Sequence, residues 1–174
     1  MKAAGRALLA AIAIGWLMAM LVTGARPTRE QFVAFEAAGV MTVPPARVRR
    51  VDVQAGEQQW RIERRGAAWH TARGALAGEV ASSLTLAVKF LHTARPVRTL
   101  ADTASAQALA DFGLRTPSLR IGVTLDDGQH LALAFGGRTP DGSLQYLRVE
   151  EPAQIYLMSN FVGEEWQAVA EALP

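Results

Sequence analysis

The sequence predicts an α+β domain: a largely antiparallel sheet packed with two or three helices, preceded by an N-terminal transmembrane helix. Three observations predict it. Leu119, Ile121, Val123 and Leu125 recur with period two, as do Leu131, Leu133 and Phe135, the pattern of strands with one buried face. Val80, Leu84, Val88 and Leu91, and again Val162, Trp166, Val169 and Leu173, recur at helical spacing, giving two apolar stripes to lay on that sheet. Residues 7–25 contain no charged side chain.

Lys2 and Arg6 lie in the basic tail 1–6, ahead of the uncharged run. Its nineteen residues would span about 28 Å as a helix, close to the roughly 30 Å hydrocarbon core of a bilayer. Positive residues ahead of the run favour a cytoplasmic N-terminus and an exported remainder. This reading gives a single pass through a bacterial inner membrane at 7–25, a juxtamembrane linker at 26–45 and a periplasmic domain at 46–174. The alternative is a signal peptide cleaved after Thr23-Gly24-Ala25, which releases the domain to the periplasm.

Charge and composition narrow the chemistry. The formal charge is +2, and residues 1–30 alone contribute +3, so the rest carries −1 and offers no global field for nucleic acid. With no cysteine, thiol catalysis, disulfide exchange and cysteine-ligated zinc are excluded.

Pro44-Pro45 forces an extended backbone before the domain. Residues 47–53 and 58–65 read as paired strands joined around Ala55-Gly56-Glu57, with Val51, Val53, Trp60 and Ile62 facing inward and Trp69 as a further apolar anchor. A helix is expected over 75–91 and a short strand over 97–100. A second helix, capped by Asp102 or Thr103, would end by Gly113. The meander comes next: 119–125, 131–135, 144–149 and 155–158. Asp127-Gly128 suits a type I′ turn, and Asp141-Gly142 is the next turn signal. Ser159 or Asn160 caps the final helix.

Arg47, Arg49, Arg50, Arg61 and Arg65 form a possible interaction surface for a membrane protein partner or anionic lipid headgroups, although Asp52, Glu57 and Glu63 are interspersed. Trp60, Trp69 and Tyr146 are the alternative ligand contacts, for a lipid or a glycan. His70, His92 and His130 lack zinc-motif spacing, and Asp126, Asp127 and His130 form at most a polar hairpin tip. The glycine-rich 136–142 lacks the Lys-Ser/Thr ending of a phosphate loop. No serine sits in a Gly-x-Ser-x-Gly elbow. The expectation is a noncatalytic protein with no cofactor and no bound metal.

A series of short motifs adds a family likeness. It comprises Asp111-Phe112-Gly113-Leu114-Arg115-Thr116-Pro117, the Leu119–Leu125 strand with Asp127-Gly128, Phe135-Gly136-Gly137-Arg138-Thr139-Pro140-Asp141-Gly142-Ser143, Tyr146 and Ile155-Tyr156-Leu157. Upstream, the Gln59-Trp60-Arg61-Ile62-Glu63-Arg64 segment and Trp69 extend it. In these the chain resembles the domain-of-unknown-function 4340 family of bacterial envelope proteins. The resemblance implies an N-terminally anchored envelope protein, in some members associated with ABC-transporter or gliding-motility systems, and carries over no catalytic residues.

Overall fold

The computed structural model describes residues 12–20, 38–100 and 105–174. It divides into two compact units, Met1–Glu36 and Ala37–Pro174. In the first, residues 12–20 form a helix, α1, whose side chains are all exposed. Among the described residues no helix is long and apolar enough to cross a membrane; the remainder of the expected 7–25 span lies outside them.

The second unit is α+β. Its strands are β1 (Val48–Ala55), β2 (Gln58–Arg65), β3 (Ala68–Thr71), β4 (Gly74–Ala75), β5 (Arg98–Thr99), β6 (Leu119–Leu125), β7 (His130–Arg138), β8 (Leu144–Val149) and β9 (Gln154–Ser159). Its helices are α2 (Gly78–Thr93), α3 (Ala106–Asp111) and α4 (Asn160–Ala172). All nine strands join one sheet in the order β4-β3-β2-β1-β6-β7-β8-β9-β5, and every neighbouring pair is antiparallel.

That order contains a repeat. Four strands in sequence and then a helix, β1–β4 with α2, are echoed by β6–β9 with α4. The two sets meet at a central seam, where Val51 faces Val123 and Val53 faces Ile121.

One face of the sheet carries the main core. Val51, Val53 and Ile62 from the first set join Ile121, Val123, Leu133, Phe135, Leu147 and Met158 from the second. Leu84, Ala87, Val88 and Leu91 of α2 and Val162, Trp166 and Val169 of α4 close over them, so both expected helical stripes are buried. Trp166 is completely buried, a core residue as its spacing suggests.

The sequence misplaces several boundaries. The first domain helix begins at Gly78 rather than near residue 75, because Gly74 and Ala75 pair with Thr71 and His70 as a short edge strand. The second helix is capped by Ser105, whose hydroxyl accepts from the Ala108 N–H; Asp102 and Thr103 lie outside the described residues. The β6–β7 turn is not type I′: Gly128 has φ +84° and no described non-glycine residue has positive φ. Gly128 N–H instead donates to Leu125 and Leu125 N–H to Gln129, a type I turn closed by a left-handed glycine. The unit also starts earlier than residue 46. Met41 is buried in the main core, and Gly39 and Met41 N–H groups donate to the last carbonyls of α2, on His92 and Leu91.

Candidate interaction surface

Strand alternation places Arg50, Asp52, Arg61, Glu63, Arg120 and Thr124 on the sheet face opposite the main core, and over the first strand set no described helix covers them. Cross-strand register decides their partners. Asp52 faces Arg61, and its carboxylate accepts from Arg61 Nε at 2.9 Å. Arg50 Nε lies 3.1 Å from the other Asp52 oxygen, off the hydrogen-bond axis, while its terminal nitrogen donates to Thr124 Oγ1 at 3.1 Å. Arg120 pairs with Glu150 at 2.9 Å.

The five arginines of the expected basic surface are therefore largely neutralised. Arg47 stands apart in a 3-10 turn (Pro45–Arg47) and grips the β6–β7 turn, with Nε on Asp126 at 2.8 Å and a terminal nitrogen on Asp127 at 2.7 Å. The Asp126 hydrogen bond, and after it that of Asp127, raises its pKa above the ordinary guanidinium value. Arg61 is raised likewise by Asp52. Arg65 pairs with Glu63 at 3.2 Å. Arg49 projects into solvent at the irregularity between Val48 and Arg50. The result is an alternating mosaic of charge rather than a continuous positive field.

The three aromatic candidates do not share a cleft. Trp69 is 2% exposed, donates to Thr85 Oγ1 at 3.0 Å and lies under the Arg64 guanidinium. Trp60 is half-buried against the main core and donates to the Pro174 carbonyl at 2.9 Å. Tyr146 belongs to a separate small cluster, its ring stacked on Phe112 at 4.3 Å.

That small cluster explains the glycine-rich motifs. Leu114, Ala134 and Ile155, with Leu100, Leu109, Phe112 and Tyr146, pack on the second face of β7–β9. The chain after α3 crosses directly over β7, and Gly137 N–H donates to the Phe112 carbonyl at 2.8 Å. A Cβ on Gly136 would strike that carbonyl and the Leu114 side chain. A Cβ on Gly113, already at φ +67°, would lie 2.7 Å from Gly137 N. These glycines permit two backbones to touch. Beyond them, Asp141 is held by the Thr139 and Ser143 hydroxyls, which keep its carboxyl below the usual range.

His130 turns away from Asp126 and Asp127. Its Nδ1 lies 3.3 Å from Thr124 Oγ1, and its ring lies over Gly122. Among the described residues no group of three or more His, Asp or Glu is placed to hold a metal ion.

Two concavities are additional to these expectations. One, about 470 Å³, runs between Gly136, Arg138 and Gln145 and the Gly163, Glu164 and Gln167 side of α4. The other, about 780 Å³, opens between residues 38–42 and the α2–β5 connection, with Arg95, Val97, Arg98, Thr42 and Tyr156 in its lining. A sequence signal for the second exists: between Glu79 and Asp102 there is no acidic residue, while Lys89, Arg95 and Arg98 are all present.

The sequence profile of a family described as "Domain of unknown function (DUF4340)" matches residues 80–171, just over half of the chain. Neither the curated proteins nor the solved structures contain a match.

Proposed function

The chain belongs to the DUF4340 family, and from that premise we propose that it is a noncatalytic accessory or scaffold protein of the bacterial envelope, anchored in the inner membrane through residues 7–25 with its domain in the periplasm, in a transporter-associated complex. The observation that carries the scaffold reading is the uncovered mosaic face of β1, β2 and β6. Its carboxylates are engaged by arginines, leaving a broad surface suited to a protein of matching charge pattern. The anchor reading is supported by α1, where Ile12, Ile14, Trp16, Leu17, Met18 and Met20 are each more than half exposed; a helix apolar on all sides is one that suits lipid.

Purification from the native membrane in mild detergent, and then mass spectrometry, tests the scaffold. One protein partner is expected to co-purify and to be lost from the Arg61→Glu/Arg65→Glu variant; recovery of no protein partner overturns the reading. Membrane fractionation with N-terminal sequencing tests the anchor, and a soluble product beginning near Arg26 overturns it. A second reading, a periplasmic lipid- or glycan-binding module, is favoured by the open cleft beside Arg95 and Arg98.

A further inference from the structure

We propose that the cleft between residues 38–42 and the α2–β5 connection binds an anionic phosphate-bearing amphiphile, its phosphate on Arg95 and Arg98 and its apolar portion on Val97, Val40 and Tyr156. This rests on the second reading above and gives it a site and a ligand class.

The first observation is the contrast among arginines. Arg47, Arg50, Arg61, Arg65, Arg120 and Arg138 each stand within 3.2 Å of a carboxylate oxygen. Arg95 and Arg98 line a cleft in which no described lining residue is acidic. The stretch 80–101 that contains them has no acidic residue. Planar guanidinium groups are the preferred protein partners of phosphate oxygens.

The second observation is the apolar component. Val97, between the two arginines and immediately ahead of β5, is 63% exposed and offers an apolar side chain at the mouth of the cleft. Tyr156 on β9 and Val40 are half-buried, packed against the main core and also facing the cleft. Cation, apolar tip and aromatic floor together match a ligand that is charged at one end and apolar at the other.

The third observation is rigidity. One wall is fixed by the bonds of Gly39 and Met41 to the end of α2, reinforced by His92 Nδ1 at 2.9 Å from the Met41 carbonyl. The opposite wall is fixed by Val97 and Leu100 N–H groups donating to Leu157 and Ile155 carbonyls. Both walls are held by the domain's own backbone, so binding costs little ordering.

The test uses the full chain in nonionic detergent and native mass spectrometry with dioctanoyl phosphatidylglycerol, dioctanoyl phosphatidylcholine and inorganic phosphate as probes. The anionic lipid is expected to bind one-to-one and at least tenfold more tightly than the zwitterionic one. Arg95→Gln/Arg98→Gln is expected to weaken it at least tenfold, while Arg73→Gln/Arg115→Gln, at two exposed arginines away from the cleft, leaves it unchanged. Val97→Ser, a surface change that leaves the core intact, is expected to weaken the lipid several-fold. Inorganic phosphate is expected to compete only in large excess. Equal binding of the two lipids, unchanged binding in the Arg95/Arg98 variant, or inorganic phosphate binding as tightly as the lipid overturns the proposal. Membrane fractionation of the same variants should be unaltered, so failure here is separable from failure of the anchor.

Discussion

The two strand sets share an element order and differ in how their faces are covered. In β1–β4 one face meets α2 and α4, and the other is a lattice of arginine and carboxylate. In β7–β9 the second face is also buried, under α3 and the chain after it. The contrast teaches that the connecting segments, rather than the strands themselves, decide whether a sheet face is core or surface. The connection after α2 reaches the far edge as β5, α3 and the chain after it pack on the second set, and among the described residues no helix gives the first set such cover.

Substitutions on the two second faces should separate these regions most sharply. Ile155→Ala is expected to destabilise the domain by about 3 kcal/mol, the range for emptying a buried aliphatic site. Glu63→Ala, on the open face of the first set, should stay within about 0.5 kcal/mol. Denaturant unfolding checks both, and equal losses would erase the distinction. Gly136→Ala comes next: forcing a Cβ against the Phe112 carbonyl and Leu114 should cost about 2 kcal/mol. A neutral result would mean the crossing chain is not held against β7.

Smaller and specific to the second set is the response to acid. Asp127 is held below its ordinary pKa of 3.8, first by the Gln129 backbone N–H and then by Arg47, and Asp141 by the Thr139 and Ser143 hydroxyls. A depressed carboxylate stabilises the fold fully above the ordinary value, and that contribution disappears as pH falls through the lower folded value. Thermal melts should therefore show a modest fall in Tm below about pH 4, shallower in Asp141→Ala. The smallest expected effect is none: chelation should leave the melting temperature unchanged, and a metal-dependent shift would contradict a fold held by its apolar cores.

Much of the sheet is legible because period two survives in the second set from Leu119 to Phe135 and in Val51, Val53, Trp60 and Ile62. The β6–β7 hairpin is legible as a turn but not as a turn type, since Asp-Gly serves both a type I′ pair and a single left-handed glycine. The repeat is hidden because matching strands carry different side chains: Arg61, Glu63 and Arg65 alternate along β2, whereas Ala132 and Ala134 alternate along β7. Leu100, Leu109, Phe112 and Tyr146 are spread too widely for any local period to unite them. The arginine surface is legible as composition only, because pairing Asp52 with Arg61, or Arg47 with Asp126, depends on strand register and on a contact across nearly eighty residues. Arg95 reads in the sequence as a helix terminator and Arg98 as part of a short strand, although the scarcity of acids around them is visible there.

The seam between β1 and β6 has a consequence during synthesis. Ala55 must wait for Leu119, and Val48 for Leu125, so β1 leaves the ribosome roughly 3–15 s before its central partner at ordinary elongation rates. For that interval an eight-residue strand with Val48, Val51 and Val53 offers an open edge to any other nascent chain. Consecutive arginines at 49 and 50 place charge on that edge, and charge on an open strand is a deterrent to pairing with strangers. Arg49, solvent-exposed in the finished domain, is well placed to protect it while it is being made.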